Sequence, residues 1–192
     1  MDADYLRVQV EGLAQVCNLP DPEGDPFASW ALFDRPHHHR YALGRHWNWS
    51  LPVFLWVLLN PSKAGAYEDD PTIRKIIGFT GRNGGGGAIV VNLAAYIATD
   101  PKELAKVKNP IGPNNITVLE TLLCLQDVRI VAAWGMGAVS LRKRIWAIPL
   151  LGCFWPTLRI PWATPLCLGK TTTGEPRHPG RIGYDTPLVP YT

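Results

Sequence analysis

Two asparagines and a pair of aspartates are the residues of this sequence whose types and spacing first suggest chemistry. Asn60 and Asn92 each stand at the end of a continuous apolar run. Asp69 and Asp70 lie side by side between those two asparagines. Two neighbouring carboxylates could carry general acid–base catalysis. Asp70 also precedes Pro71, an arrangement that caps and starts a helix, so the pair has a structural explanation as well.

Two further motifs resemble ligand sites but lack the geometry or the spacing that such sites need. The run His37–His39 offers imidazole ligands for a metal, yet adjacent side chains alternate faces on an extended strand and cannot converge. The run Gly169–Thr171 resembles the end of a phosphate-binding loop, but Thr164 stands where that motif requires a glycine. We therefore expect no metal site and no cofactor.

The elements that must position these residues follow from the alternation of apolar runs with turn residues. Strands that alternate with helices predict an α/β fold with a central, mostly parallel sheet. Buried strands are predicted at Val53–Leu59, Ala88–Leu93, Val128–Trp134 and Pro165–Leu168. Helices are predicted from Asp4 to Cys17, from Asp70 to about Phe79, from Pro101, after Asn115, and from Gly135 to about Trp146. Residues Arg40–Trp49 are expected to form an edge strand or a hairpin.

Three of the predicted strand ends carry a polar residue or a glycine, namely Asn60, Asn92 and Gly135. Ligands of open α/β sheets bind outside the carboxyl ends of the strands. Because the carboxyl ends of parallel strands meet at one edge of a sheet, the sequence predicts a binding site at that edge.

The charge of the chain is distributed unevenly. Residues 1–34 hold seven acidic residues and one basic residue, a net charge of −6, whereas residues 35–192 carry a net charge of +9. We predict an acidic N-terminal extension over residues 1–34, a helix followed by a linker at 20–26, and a single α/β domain over residues 35–192. A basic body suggests a polyanionic partner, although a mildly basic protein without such a partner shows the same balance.

Composition and cysteine usage suggest the compartment. Hydrophobic residues make up 46% of the chain and charged residues 18%, which argues against a disordered protein. The longest apolar stretch, Ile145–Leu158, contains two prolines and is shorter than the roughly 20 residues of a membrane span. No signal peptide is visible, so we expect a soluble, cytoplasmic monomer. The cysteines lack zinc-site spacing and are expected to be reduced thiols: Cys17, Cys124, Cys153 and Cys167.

Four segments of the chain resemble, in order, the motifs of the uracil-DNA glycosylase superfamily. They are Leu59–Ser62, Val90–Leu93, Val131–Gly135 and His178–Gly180. The chain is also similar to a bacterial and phage family with LNPS, DDPTIR, VNL, AWG and PRHP segments. The resemblance implies a three-layer α/β/α sandwich around a four-stranded sheet. It also implies a DNA glycosylase that works without a metal, with modified phage DNA as a suggested partner and antiviral defence as a suggested setting.

The resemblance also implies roles for individual residues. Asn60 would orient the attacking water, and His178 would donate a hydrogen bond to the oxygen of the departing base. Asn92 would bind the edge of a pyrimidine, because an amide offers a donor and an acceptor together. Further base contacts are expected from Pro61, Ser62 and Trp134, and contacts to the DNA strand are expected from Lys63, Arg142, Arg177 and Arg181. Ile182 is expected to insert into the duplex as a wedge. Asp69 or Asp70 is expected to serve as an auxiliary acid.

Ser62 bears on the choice of substrate. Uracil-specific enzymes of the superfamily place a bulky tyrosine after the proline of this motif, where it excludes substituents on C5 of the base. The small side chain of Ser62 predicts a pocket that admits a C5-modified pyrimidine, such as a hydroxymethylated or glucosylated cytosine.

Two other functions remain open at the level of sequence. The first is a nucleic-acid-binding module without catalytic activity, because Asn60 replaces the aspartate of the most active glycosylases. The second is a hydrolase of nucleosides or nucleotides, which would need no basic surface for DNA. Simpler structural explanations also remain for Trp134 as a core residue and for Arg142 as part of a solvated helix face.

Overall fold

The computed structural model describes residues 1–137 and 164–192 and is organised around an eight-stranded mixed sheet. The strands are β1 (Glu23–Asp25), β2 (Ser29–Phe33), β3 (Arg40–His46), β4 (Val53–Leu58), β5 (Gly87–Asn92), β6 (Val128–Ala132), β7 (Leu166–Cys167) and β8 (Val189–Pro190). Their order across the sheet is β1-β2-β3-β5-β4-β6-β7-β8. The helices are α1 (Ala3–Val16), α2 (Pro71–Arg82) and α3 (Asn115–Leu123), with short 3-10 turns at Pro101–Ala105 and Pro179–Arg181.

The predicted α/β class is confirmed, and the sheet is larger than expected. The four predicted strands are β4, β5, β6 and β7, and β4 pairs in parallel with β5 and β6, as β6 does with β7. Four additional strands, β1, β2, β3 and β8, pair antiparallel with their neighbours. The expected four-stranded, mostly parallel sheet is not confirmed, because four of the seven pairings among the described strands are antiparallel. Strands β1 and β8 are two or three residues long and leave no periodic pattern, β2 was not predicted, and β3 was expected only at an edge or in a hairpin.

Strand β3 lies inside the sheet. Residues 40–49 contain one strand and no hairpin of their own: β3 pairs antiparallel with the preceding β2 and, on its other side, with β5, and it is buried along its whole length. The expected edge strand is therefore wrong, because β1 and β2 extend the sheet beyond it. Residues 1–34 contribute α1, β1 and β2, and Leu6 and Val10 of α1 are buried against the sheet. Residues 23–25 form β1 where a linker was predicted.

Helices cover both faces of the sheet. Val53, Leu55 and Val57 of β4 pack in one core with α1 and α3. Phe54, Trp56 and Leu58 of the same strand pack on the other face with α2. A strand that is buried on both faces must be apolar at every position, which explains the continuous apolar run of β4.

Helix α2 begins at the carboxyl end of β4, after the loop 59–70. Asp70 caps it by accepting a hydrogen bond from the amide of Ile73 at 2.9 Å, and Pro71 occupies the first helical position, as predicted.

The predicted basic helix from Gly135 to Trp146 extends beyond the described residues, and Arg142 and Cys153 lie outside them. In the described part of the chain, no helix has the length and apolar character needed to cross a membrane.

Candidate active site

A cavity of about 190 Å³ opens at the carboxyl ends of β4 and β5, beside the start of α2. This volume is below the roughly 300–1,000 Å³ of pockets for drug-sized ligands, so the cavity suits a small ring. Five residues predicted from the sequence line it: Asn60, Ser62, Asp70, Asn92 and His178. The structure thus brings together side chains that are separated by up to 118 positions in the chain.

The side chain of Asn60 is held in one orientation by the backbone. Its Nδ2 donates hydrogen bonds to the carbonyl oxygens of Pro61 at 2.9 Å and Ala98 at 2.7 Å. Because both amide hydrogens are donated, the positions of Oδ1 and Nδ2 are set by the network. Oδ1 therefore remains as an acceptor for a ligand or a water in the cavity.

Asn92 is fully buried, with an exposed fraction of 0%. Neither Nδ2 nor Oδ1 of its side chain has a hydrogen-bond partner in the described part of the chain. Buried polar groups are nearly always hydrogen-bonded, and leaving one unpaired costs about 1–3 kcal/mol. Since Asn92 lines the cavity, a ligand that offers both a donor and an acceptor would satisfy the amide.

His178 presents a defined ring nitrogen to the cavity. The residue caps the 3-10 turn Pro179–Arg181, and its Nδ1 accepts a hydrogen bond from the amide of Gly180 at 3.2 Å. A neutral ring with Nδ1 as acceptor carries its proton on Nε2. His178 is an exposed residue, but partial desolvation of its ring beside the cavity lowers its pKa, an effect that the negative charge of Asp70 opposes. The neutral ring is therefore favoured at pH 7 and can donate a hydrogen bond from Nε2.

The segment that carries His178 packs against the end of β6. Gly135 has a φ of +70°, and a Cβ at this position would lie 3.0 Å from the Cβ of His178. The amide of Gly135 also donates to the carbonyl oxygen of Pro176 at 2.9 Å. A glycine after β6 thus lets the histidine segment approach the parallel strands closely.

The two adjacent aspartates have different surroundings. Asp70 lines the cavity and caps α2 through Oδ1. The carboxylate of Asp69 accepts a hydrogen bond from Nε of Arg45 at 2.9 Å and does not line the cavity. The two carboxylates therefore have different partners, and of the two only Asp70 lines the cavity.

Arg40 is a residue of the cavity that the sequence analysis missed. Its exposed fraction is 2%, its Nη1 donates to the carbonyl oxygen of Ala64 at 2.7 Å, and its Nε has no partner among the described residues. Burial lowers the pKa of Arg40 to about 10, and the charge of Asp70 limits that shift. The guanidinium is therefore positive at pH 7. Its position between the histidine run and an apolar strand gave no signal of burial, because a terminal arginine of a strand is usually exposed.

Two predicted contacts are wrong because the side chains are buried elsewhere. Trp134 packs in the core on the face of α1 and α3, and its Nε1 donates to Glu175 at 2.8 Å. Ile182 is 5% exposed and packs in the core on the face of α2, so it cannot act as a wedge at the surface. Pro61 is buried, and its carbonyl oxygen orients Asn60.

The predicted cations lie at the surface where they are described. Lys63, Arg177 and Arg181 are exposed, and none of them lines the 190 Å³ cavity. His37 and His39 face different carboxylates, Glu23 at 2.9 Å and Asp34 at 2.7 Å. Within residues 1–137 and 164–192, no group of three or more potential ligands is placed to hold a metal ion.

A protein-family model matches residues 40–180, which is more than half of the chain. The chain belongs to the DUF1643 family. The description of this family is "protein of unknown function". The matched region contains Arg40 and His178, and so spans every cavity residue discussed above. Comparisons of this DUF1643 protein with curated proteins and with solved structures give no significant match.

Proposed function

We propose that this DUF1643 protein is a monofunctional DNA glycosylase that hydrolyses the N-glycosidic bond of a flipped pyrimidine and leaves an abasic site. The observation that carries the proposal is the buried amide of Asn92, which has no partner among residues 1–137 and 164–192 and lies in a small cavity beside His178 and Asn60. A pyrimidine edge supplies the donor and acceptor that such an amide needs. The polypeptide would act in the cytoplasm, with a uracil-DNA-glycosylase-like arrangement of its parallel strands.

The proposed reaction assigns one task to each group. The bond between C1′ and the base nitrogen breaks, its electron pair leaves with the base, and an oxocarbenium-like sugar remains. Nε2–H of His178 donates to a base oxygen as negative charge grows there, and the buried Arg40 cation stabilises the same charge in a low-dielectric site. A water held by Oδ1 of Asn60 attacks C1′. Asp70 can accept the proton of that water.

The substrate must leave the duplex before it can enter the cavity. Base flipping places a single nucleotide in a pocket of this kind. The exposed cations Lys63, Arg177 and Arg181 are suited to contacts with phosphates. Ser62 lines the cavity with a small side chain, which supports a C5-modified pyrimidine, such as hydroxymethylated or glucosylated cytosine of phage DNA, as the substrate. Excision of such bases would serve defence against phage.

The direct test is release of bases from DNA. Duplexes that contain uracil, a mismatch, 5-hydroxymethylcytosine or its glucosylated form are incubated with the protein, and abasic sites are scored by alkaline cleavage. We expect release from a modified pyrimidine, and a loss of about 100-fold or more in His178→Ala and Asn60→Ala. His38→Ala removes an exposed imidazole outside the cavity and serves as the matched control. Release that persists in both site variants would overturn the assignment.

One observation favours a second candidate, a DNA-binding module without catalysis. Asn60 is an amide, a weaker base than a carboxylate, and its hydrogens are already donated to the backbone. Binding of the same duplexes without any abasic site would support this alternative. Release from free nucleosides but not from DNA would instead indicate a nucleoside hydrolase.

A further inference from the structure

A second cavity of about 430 Å³ lies next to the candidate active site, and Ser62 lines both cavities. The loop 62–68 forms one wall of the second cavity. Phe33 and Ile97 belong to a small apolar cluster there that is separate from the two main cores. A group on the edge of a base that faces Ser62 would therefore point from the first cavity into the second.

The lining of the second cavity combines a flat apolar surface with hydrogen-bonding groups of both kinds. The ring of His37 stacks on Phe33 at a centroid distance of 4.6 Å, with the two planes 7° apart. Nε2 of His37 lies 2.9 Å from the carboxylate of Glu23. Glu68 adds a second carboxylate, and Lys63 adds an ammonium group. The side chains therefore offer acceptors and donors without a strong excess of positive charge.

This chemistry favours a neutral, polyhydroxylated ligand over an anion. Hydroxyl groups can donate to the carboxylates of Glu23 and Glu68 and accept from Lys63. The apolar face of a sugar ring can pack against Phe33 and Ile97. A phosphate would meet two carboxylates, and the repulsion between like charges disfavours it.

The wall between the two cavities is held by two buried arginines. Nη1 of Arg40 donates to the carbonyl oxygen of Ala64 at 2.7 Å, and Nη2 of Arg45 donates to that of Gly65 at 2.6 Å. Arg45 is itself fixed by Asp69 at 2.9 Å. Hydrogen bonds from charged donors are stronger than neutral ones, so the loop is preorganised and ordering it on binding costs little.

We propose that the second cavity is the subsite for a glycosyl group carried by the base in the first cavity. This inference rests on the proposed glycosylase function and specifies its substrate class as a glycosylated pyrimidine. The aspartate that the sequence suggested as an acid, Asp69, then has a positioning role, because it holds the arginine that fixes the subsite wall.

The experiment fills the second cavity and compares two substrates. Gly65 has no positive φ, and a Cβ there would lie in ordinary contact, 3.8 Å from Cζ of Phe33, which lines the second cavity, so the side chain of Gly65→Leu starts at this lining and occupies part of the cavity. Gly81→Leu is the matched control, because a Cβ at Gly81 meets no atom within 4 Å. The readout is the ratio of kcat/KM for glucosylated and non-glucosylated 5-hydroxymethylcytosine in one duplex sequence. We expect Gly65→Leu to lower this ratio by about 10-fold to 100-fold, and Gly81→Leu to leave it unchanged.

The outcomes separate the subsite from the function. No release by the natural protein from any duplex overturns the proposed function and the subsite together. Release of hydroxymethylcytosine but not of its glucosylated form, or an equal ratio in Gly65→Leu and Gly81→Leu, overturns the subsite alone. If only the glucosylated base is released, the two variants are compared on that substrate directly, and equal rates again overturn the subsite. Glu68→Gln, at an exposed position, repeats the test with a smaller change, and the same ratio is expected to fall.

Discussion

Replacement of Asn92 by leucine should stabilise the protein while it abolishes base release. Leucine has the branching and the number of side-chain heavy atoms of asparagine, although its volume is larger, and it removes the two polar atoms that are buried without a partner among the described residues. Each unpaired buried polar group costs about 1–3 kcal/mol. Allowing for imperfect packing of the new side chain, we expect Asn92→Leu to raise the free energy of unfolding by about 1–3 kcal/mol. For a chain of this size, each kcal/mol corresponds to roughly 2–4 °C in Tm.

The neighbouring Asn115 provides a matched control, for which we expect the free energy of unfolding to change in the opposite direction. It is also fully buried, and its Oδ1 likewise has no partner among the described residues, but its Nδ2 donates to the carbonyl oxygens of Asn92 at 2.9 Å and Leu93 at 3.2 Å. Asn115→Leu makes the same chemical change, breaks two hydrogen bonds in the interior and removes one unpaired oxygen. Because two carbonyl groups lose their donor against one unpaired atom removed, we expect it to lower the free energy of unfolding by about 1–3 kcal/mol.

Urea unfolding at pH 7 measures both variants against the natural protein. Equal m-values would show that the same surface is exposed on unfolding, so that the midpoints compare stability directly. A loss of stability in Asn92→Leu as large as that in Asn115→Leu would mean that the Asn92 amide is already satisfied in the free protein. The inference that this amide awaits a ligand would then be wrong.

The remaining predictions concern pH and one glycine. Protonation of Nδ1 breaks the hydrogen bond that this atom accepts from the amide of Gly180, and the pKa of His178 is lowered from its usual value, a shift that Asp70 opposes, so base release should decline only below about pH 6.5. Asp70→Asn should move the decline to lower pH, and a move to higher pH contradicts the assignment. Burial lowers the pKa of His46 from 6.5 to about 4. The unfolded protein therefore binds a proton at this residue more readily than the folded protein does, and the folded state loses stability as the pH falls. The free energy of unfolding in urea should drop by about 3 kcal/mol between pH 6.5 and 4 relative to a His46→Gln variant, and equal pH dependence of the two proteins counts against this. Gly135→Ala and Gly174→Ala both place alanine at a positive φ, but only Gly135 faces His178. Gly135→Ala should therefore reduce the rate of base release several-fold more than Gly174→Ala does. Equal rates in the two variants would show that the contact does not position the histidine.

Parts of the fold that depend on one segment could be predicted from local patterns. Strand β4 follows from its apolar run, because every residue of a parallel strand covered on both faces must be apolar. The start of α2 follows from Asp70 and Pro71, because a cap involves only residues within one turn. Strand β1 could not be predicted, since three residues with two charges form a strand only where β2 offers a pairing edge.

The residues of the candidate site also differ in whether the sequence alone could place them there. Asn60, Asn92 and Gly135 could be placed at one edge of the sheet, because the ends of parallel strands converge there. The role of His178 was implied only by the resemblance, because this residue does not end a predicted strand. Arg40 could not be placed there, because its burial depends on β1 and β2 extending the sheet and on the loop carbonyl of Ala64 that its guanidinium reaches.

The sequence by itself determined the parallel strands, the start of α2 and the side chains that stand at the ends of those strands, since periodicity and caps act over a few residues. Only the tertiary structure decided which of those side chains reach the cavity. It separated Asp70 from Asp69 and directed Trp134 into the core on the opposite face. It also left the Asn92 amide without a partner in the described part of the chain. Burial and hydrogen bonding are set by residues distant in the chain, and neither can be inferred from the identity of a residue and its neighbours.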